Sequence, residues 1–160
     1  MLLKFDAPSR TVADPDALAR AVFSELVRIA DGFELAVVVS SRPSEEHDAD
    51  AFFVRATSDA PAHIVVDDAL RPLPAARALA HELAHAILHA EASSATEAQQ
   101  EIEAELVAFA LLRFMGLDTL GPSLDYVLRW ATCDADVHHA QPRVTEACGA
   151  ILARRLPRAF

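Results

Sequence analysis

Two histidines and a glutamate stand at a spacing that suits metal-dependent hydrolysis, in the segment His81-Glu82-Leu83-Ala84-His85. On a helix, residues four apart lie on the same face one turn apart, so His81 and His85 can direct both imidazoles at one metal ion. Glu82 lies about 100° around the helix from His81, within reach of a water held by that metal. The H-E-x-x-H pattern therefore predicts a zinc site, with Glu82 as general base toward the water.

This chemistry requires that the motif lie on a helix, and the preceding residues predict one. Pro72 and Pro74 stand before residues 75–80, a run of good helix formers. The helix has one apolar stripe to bury, formed by Leu79, Leu83, Ala86 and Ile87. We therefore expect a helix over residues 74–91 that carries both histidines.

Two histidines and a water leave a tetrahedral zinc site one protein ligand short. Glu101 and Glu105 share one face of a second predicted helix, residues 97–115. We expect Glu101 to be the third ligand and Glu105 to accept the free N–H of a ligand histidine, which fixes the tautomer of that ring. The reverse assignment of the two glutamates stays open. Zn²⁺ is the expected ion, although histidine and carboxylate ligands also suit Mn²⁺, Fe²⁺ and Co²⁺.

Three further residues near these motifs are given other roles. His89 lies one turn beyond His85, and three ligands spaced four apart on a straight helix diverge from a single metal. We therefore interpret His89 as a packing residue or as a residue that supports a ligand. Glu97 and Glu103 are expected on a solvated acidic face, since Glu103 is rotated about 200° away from Glu101.

Two segments carry a resemblance to a known family. Residues 81–89, H-E-L-A-H-A-I-L-H, and residues 101–112, E-I-E-A-E-L-V-A-F-A-L-L, resemble the ImmA/IrrE family of metallopeptidases. The pattern of that family is H-E-x-x-H-x-x-L-H followed by E-x-E-A-N-x-F-A, and Glu105 stands where it usually has Asn or Asp. The resemblance implies an intracellular zinc endopeptidase that cleaves a regulatory protein, such as a helix-turn-helix repressor.

Residues 117–130 are also similar to the metallopeptidase domain of ArdC-type antirestriction and phage polyvalent proteins, in which a tyrosine and a tryptophan are spaced like Tyr126 and Trp130. This resemblance implies that Tyr126 donates a hydrogen bond to the oxyanion of the substrate. His138 and His139 are weaker candidates for that role. The ArdC-type resemblance also implies an alternative function, that of an antirestriction or nucleic-acid-associated binding protein whose metal is structural or non-catalytic.

Length and composition limit the classes of fold and function. A chain of 160 residues that is 52% hydrophobic is expected to form one domain, residues 1–160, with a sizeable core. The net charge of −10 argues against direct binding to nucleic-acid phosphates, which needs a basic face. Lys4 is the sole lysine, a composition typical of GC-rich bacterial genomes.

The same features indicate a cytoplasmic protein. Cys133 and Cys148 form no C-x-x-C pair and are expected as free thiols. The first residues lack the apolar core of a signal peptide. No apolar run approaches the ~20 residues that span a bilayer, so we expect no membrane partner.

The order of the predicted elements indicates an α+β fold. A first helix starts at Asp14-Pro15 and ends at Gly32, and a last one runs from Pro142 to Pro157 after a loop over residues 134–140. Three strands are predicted between the first helix and the two motif helices, over residues 33–39, 51–57 and 62–67, and the first of them is expected to be buried. A further helix is predicted after the motif helices, over residues 122–132.

Strands that precede helices predict a small, mostly antiparallel β-sheet packed on a helical core, and that core carries the H-E-x-x-H helix and the glutamate-ligand helix. In thermolysin-like peptidases, an edge strand near the metal helix pairs with an extended substrate. By that analogy, residues 62–67 are expected to bind a peptide by β-strand addition.

Overall fold

The strands and most of the helices occupy separate parts of the chain, as is typical of an α+β fold. A computed structural model describes residues 14–41, 49–90, 95–131 and 134–155. Within these residues the elements are α1 (Pro15–Asp31), β1 (Ala36–Ser40), β2 (Ala51–Val54), β3 (His63–Asp67), α2 (Pro72–Leu88), α3 (Glu97–Phe114), α4 (Leu120–Trp130) and α5 (Asp134–Arg155). The α+β class is confirmed. The expectations for the first residues, for Cys133 and for a helix end at Pro157 lie outside the described residues.

Helices α1 and α3 begin at residues whose side chains cap them. Asp14 accepts the N–H of Asp16 at 3.0 Å, and a proline occupies the first position of α1. Thr96 likewise accepts the N–H of Gln99 at 3.2 Å and starts α3. Helix α2 begins at Pro72, two residues earlier than predicted, because the fixed φ of proline suits a first turn. No helix among the described elements has both the length and the apolar character needed to cross a membrane.

The sheet is mixed, with strand order β1-β3-β2. β1 pairs in parallel with β3, and β2 pairs with β3 in the antiparallel sense, so the sheet is not mostly antiparallel. β3 is therefore the central strand, with Ile64 and Val66 buried against the helices. The prediction that residues 62–67 form an edge strand open to a peptide is wrong, because both sides of this strand are already paired.

β1 is an edge strand rather than the buried strand that its run of valines predicted. It is shorter than expected, starting at Ala36, and Val38 and Val39 expose 43% and 53% of their surface. A parallel strand is usually covered on both faces. Here the helices cover this end of the sheet only in part, so the valines mark β-propensity rather than burial.

Helices α2 and α3 form the centre of the core, between the sheet and α1 on one side and α5 on the other. The core includes the fully buried side chains Leu26, Ile29, Leu79, Leu83, Leu111 and Leu112. Helix α5 begins at Asp134, so the predicted loop over residues 134–140 is wrong. Pro142 lies inside α5, where it removes one backbone hydrogen bond. Burial of Ala140, Ala147 and Ile151 offsets that loss.

Leu111→Ala is expected to lower the free energy of unfolding by about 2–5 kcal/mol, because Leu111 is fully buried between helices and its truncation leaves a cavity. Urea denaturation in the presence of a chelator measures this without a contribution from bound metal. The matched control is Leu128→Ala on α4, whose side chain is 65% exposed. It should change the free energy by about 0.5 kcal/mol or less; equal losses in both variants would contradict the packing described above.

Candidate metal centre

Helices α2 and α3 bring two histidines and one carboxylate to a common point. The Nε2 atoms of His81 and His85 lie 3.0 Å apart, and each lies 3.3 Å from an oxygen of Glu101. One possible ligand atom from each residue falls within 4.8 Å of the other two. The three predicted ligands therefore converge, and two imidazole nitrogens with one carboxylate oxygen form a donor set typical of catalytic zinc sites.

Glu105 lies on the far side of His81 from this point. It is fully buried, and its Oε2 atom is 3.1 Å from Nδ1 of His81. When Nδ1–H donates to this carboxylate, the lone pair of His81 Nε2 is directed toward Glu101. The geometry thus places Glu101 at the convergence point and Glu105 behind His81, and the assignment of Glu101 as ligand stays a prediction. Arg77 lies 3.4 Å from the other oxygen of Glu105 and neutralises its buried charge.

His89 and Glu103 are both buried and contact each other. Nε2 of His89 lies 3.0 Å from Oε2 of Glu103, and Nδ1 of His89 lies 3.2 Å from Nδ1 of His85. The expectation that Glu103 is solvated is wrong, because α3 is covered by α2 on one side and by α5 on the other. The repeated histidine of H-E-x-x-H-x-x-L-H and the middle glutamate of E-x-E-A-N were the signals in the sequence that could have linked the two residues.

Glu82 lies beside the convergence point and is held by the sheet. Its Oε2 atom accepts the backbone N–H of Phe53 in β2 at 2.8 Å. Burial raises the pKa of the Glu82 carboxyl above its usual range, although nearby His81 and His85 oppose the shift. A carboxylate with a raised pKa is better matched to proton transfer near neutral pH.

Tyr126 brings α4 into the site. Its hydroxyl donates to Oε2 of Glu101 at 2.7 Å, and its ring lies edge-on to His81 at 5.3 Å between centroids. Burial and the Glu101 carboxylate both raise the pKa of Tyr126, which keeps the phenol protonated as a donor. The weaker candidates His138 and His139 are exposed on α5 and do not line the cleft next to the site.

The electrostatics of the site favour positive charge. Burial disfavours a charged His81, but hydrogen bonds to Glu101 and Glu105 outweigh it and raise the pKa of His81 to about 9. Burial also opposes ionisation of Glu101, yet contacts from His81, His85 and Tyr126 hold its pKa well below the usual range. The carboxylates that stabilise a proton on His81 would also stabilise a divalent cation, so the residues present fit a metal ion.

An open cleft leads to the site. Two adjoining cavities of about 900 Å³ and 360 Å³ share a lining that includes Ala51, Phe52, His81, Glu82 and Tyr126. One wall is therefore β2 and the other is α4. The N–H of Phe53 points at Glu82 and away from β3, so the outer edge of β2 faces the cleft.

The matched family agrees with this arrangement. A profile of the IrrE N-terminal-like domain of peptidase family M78 matches residues 34–112, a span that holds the sheet, α2 and the glutamates of α3. The matched span is just under half of the chain. The predicted ImmA/IrrE resemblance is thereby confirmed, and the match supports a metallopeptidase-type function. Comparisons with curated proteins and with solved structures give no match.

The ArdC-like resemblance of residues 117–130 lies beyond the part matched by the M78 profile and stays a prediction. The same is true of the oxyanion role of Tyr126, which rested on that resemblance. The M78 span accounts for His81, His85 and Glu101, whereas Tyr126 enters the site from a helix outside it. The donor set and the second wall of the cleft therefore come from different parts of the chain.

Replacing the two glutamates one at a time distinguishes ligand from support. The wild type is expected to bind about one divalent ion per chain. Glu101→Gln removes the charge of the predicted ligand and should lose the ion, whereas Glu105→Gln removes the charge that supports His81 Nδ1–H and Arg77 and should weaken binding about 10–100-fold. Metal analysis after equilibrium dialysis against Zn²⁺, Mn²⁺ and Co²⁺ measures both.

The matched control is Glu97→Gln, an exposed glutamate at the start of the same helix, which should bind like the wild type. If the Glu105 variant lost all bound metal and the Glu101 variant retained it, the third ligand would be Glu105, one turn further along α3.

Proposed function

We propose that this chain is a zinc-dependent endopeptidase with His81, His85 and Glu101 as metal ligands. The observation that carries the proposal is the convergence of three ligand atoms beside the Glu82 carboxylate in an open cleft. Zinc held by these residues would act as a Lewis acid and lower the pKa of a coordinated water toward neutrality. Two His and one Glu form the same ligand set that other zinc peptidases use.

Glu82 is proposed to be the general base and then the general acid. Its carboxylate accepts a proton from the attacking water and delivers that proton to the leaving amine. The Phe53 N–H holds one carboxylate oxygen in place, so the carboxylate is oriented before substrate binds. The raised pKa of Glu82 supports this assignment, since the group has to both accept and release a proton.

The edge of β2 is proposed to hold the substrate. An extended peptide can add to this edge as a further strand, through backbone groups other than the Phe53 N–H, which Glu82 occupies. Such a peptide would run through the cleft between β2 and α4 and pass Glu82 and Tyr126. The proposed peptide-binding strand is therefore β2, and not β3 as the sequence predicted.

A cytoplasmic regulatory protein, such as a helix-turn-helix repressor, is the proposed substrate. DNA-binding domains carry a basic face, and this chain has a net charge of −10. Opposite net charges speed association through long-range attraction. The support for this substrate class is the family resemblance together with charge complementarity.

Glu82→Gln is expected to lower kcat about 10²–10⁴-fold, because the amide cannot accept a proton from the attacking water. Zinc content should stay at about one ion per chain, since Glu82 is not a ligand. Cleavage of a fluorescence-quenched peptide library by the zinc-loaded protein measures the rate, with Glu97→Gln as the matched control. A wild-type cleavage rate in Glu82→Gln would contradict the proposed mechanism. A zinc-loaded wild type that cleaves no peptide would favour the binding-protein alternative.

Tyr126→Phe is expected to lower kcat about 10²–10³-fold with little change in KM, if the hydroxyl leaves Glu101 and donates to the oxyanion. Zinc affinity is measured alongside, because the same hydroxyl contacts a ligand carboxylate. Wild-type kcat with weakened zinc binding would show that Tyr126 only orients Glu101. Leu128→Ala, an exposed change on the same helix, is the control.

A further inference from the structure

A chain of buried polar groups extends from His85 to the C-terminal helix. Nδ1 of His85 lies 3.2 Å from Nδ1 of His89, and Nε2 of His89 lies 3.0 Å from Oε2 of Glu103. Arg143 of α5 places its Nε 3.4 Å from the same Glu103 oxygen, and Gln99 donates to the other oxygen at 3.1 Å. His89 and Glu103 are at most 2% exposed, so water cannot replace these contacts.

The chemistry of these groups allows one direction of donation. A carboxylate beside an arginine only accepts hydrogen bonds, so His89 donates to Glu103 from Nε2. A neutral His89 then presents a lone pair at Nδ1, and His85 has to donate to it from its own Nδ1. This leaves the lone pair of His85 on Nε2, which faces His81 and Glu101. The chain therefore selects the tautomer of His85 that a metal requires.

Two arginine side chains also hold the backbone at the end of α2. Arg143 donates to the carbonyl of Leu88 at 2.8 Å, and Arg55, just after β2, donates to the carbonyl of His89 at 2.8 Å. Carbonyls in the last turn of a helix have no partner within the helix. Two arginines from different elements thus fix the position of His89 as well as the orientation of its ring.

We propose that His89 and Glu103, anchored by Arg143, are positioning residues that fix His85 as a metal ligand, so that metal affinity depends on α5. This inference rests on the proposed metal site. It extends the site beyond residues 34–112, because Arg143 lies outside the matched family span. His81 is supported by one carboxylate directly, whereas His85 is supported through an intervening histidine.

The test measures the zinc dissociation constant by competition with a chromophoric chelator. His89→Leu removes both contacts of the ring and should raise Kd about 10–100-fold. His89→Asn can still accept from His85 Nδ1–H with its side-chain oxygen, so it should recover part of the affinity. Arg143→Gln, whose side chain is partly exposed, should raise Kd by a smaller factor, about 3–10-fold, because it loosens Glu103 without removing it. Glu146→Gln, an exposed change on α5, is the matched control.

Two further readouts separate positioning from packing. The absorption spectrum of the Co²⁺-loaded protein reports the ligand geometry and should change in His89→Leu but not in Glu146→Gln. The thermal midpoint of the metal-free protein reports packing alone. A lower midpoint with an unchanged Kd in the folded fraction would overturn the proposal.

The variants also keep the two proposals distinguishable. If His89→Leu does not fold, His89→Asn and Arg143→Gln still decide the outcome, and wild-type Kd values in both would overturn the positioning chain. A wild type that binds no zinc would overturn the metal site itself. A wild type that binds zinc, with equal Kd in every variant, would overturn only the role of His89 and Glu103.

Discussion

The packing of α2 against α3 is the constraint on which the site depends. It removes the carboxylates of Glu103 and Glu105 almost fully from water and Glu101 in large part. A buried carboxylate is costly unless a charged or hydrogen-bonding partner is present. His81, His85 and His89 supply those partners, and Glu105 and Glu103 in turn contact the rings of His81 and His89. Stability and metal-binding geometry are thus tied to the same contacts.

The remaining elements complete what these two helices cannot supply. β2 provides the N–H that holds Glu82 and one wall of the cleft, while α4 provides Tyr126 and the other wall. The small sheet contributes three buried side chains to the core, Ala51, Ile64 and Val66. Its main effect is to place one strand edge beside the H-E-x-x-H helix, where the N–H of Phe53 meets Glu82.

The M78 match ends at residue 112, but the site continues beyond it. Tyr126 contacts Glu101 from α4, and Arg143 contacts Glu103 from α5. Both contacts reach carboxylates on α3, the helix that α2, α4 and α5 all pack against. The contacts around the candidate metal centre are therefore completed by helices that the family profile does not match.

The sequence by itself determined the parts of the site that depend on helix period. His81, Glu82 and His85 had to lie together because the i, i+4 relation is built into an α-helix, and the same relation put Glu101 and Glu105 on one face. Capping residues located the starts of α1 and α3. Tertiary structure decided which glutamate meets both His81 and His85, because the offset of α3 along α2 involves residues far apart in the chain. It also decided the central place of β3, the exposure of β1, the continuation of α5 through Pro142 and the burial of Glu103. Each of these depends on which remote segment packs against the residue, and local spacing carries no information about that partner.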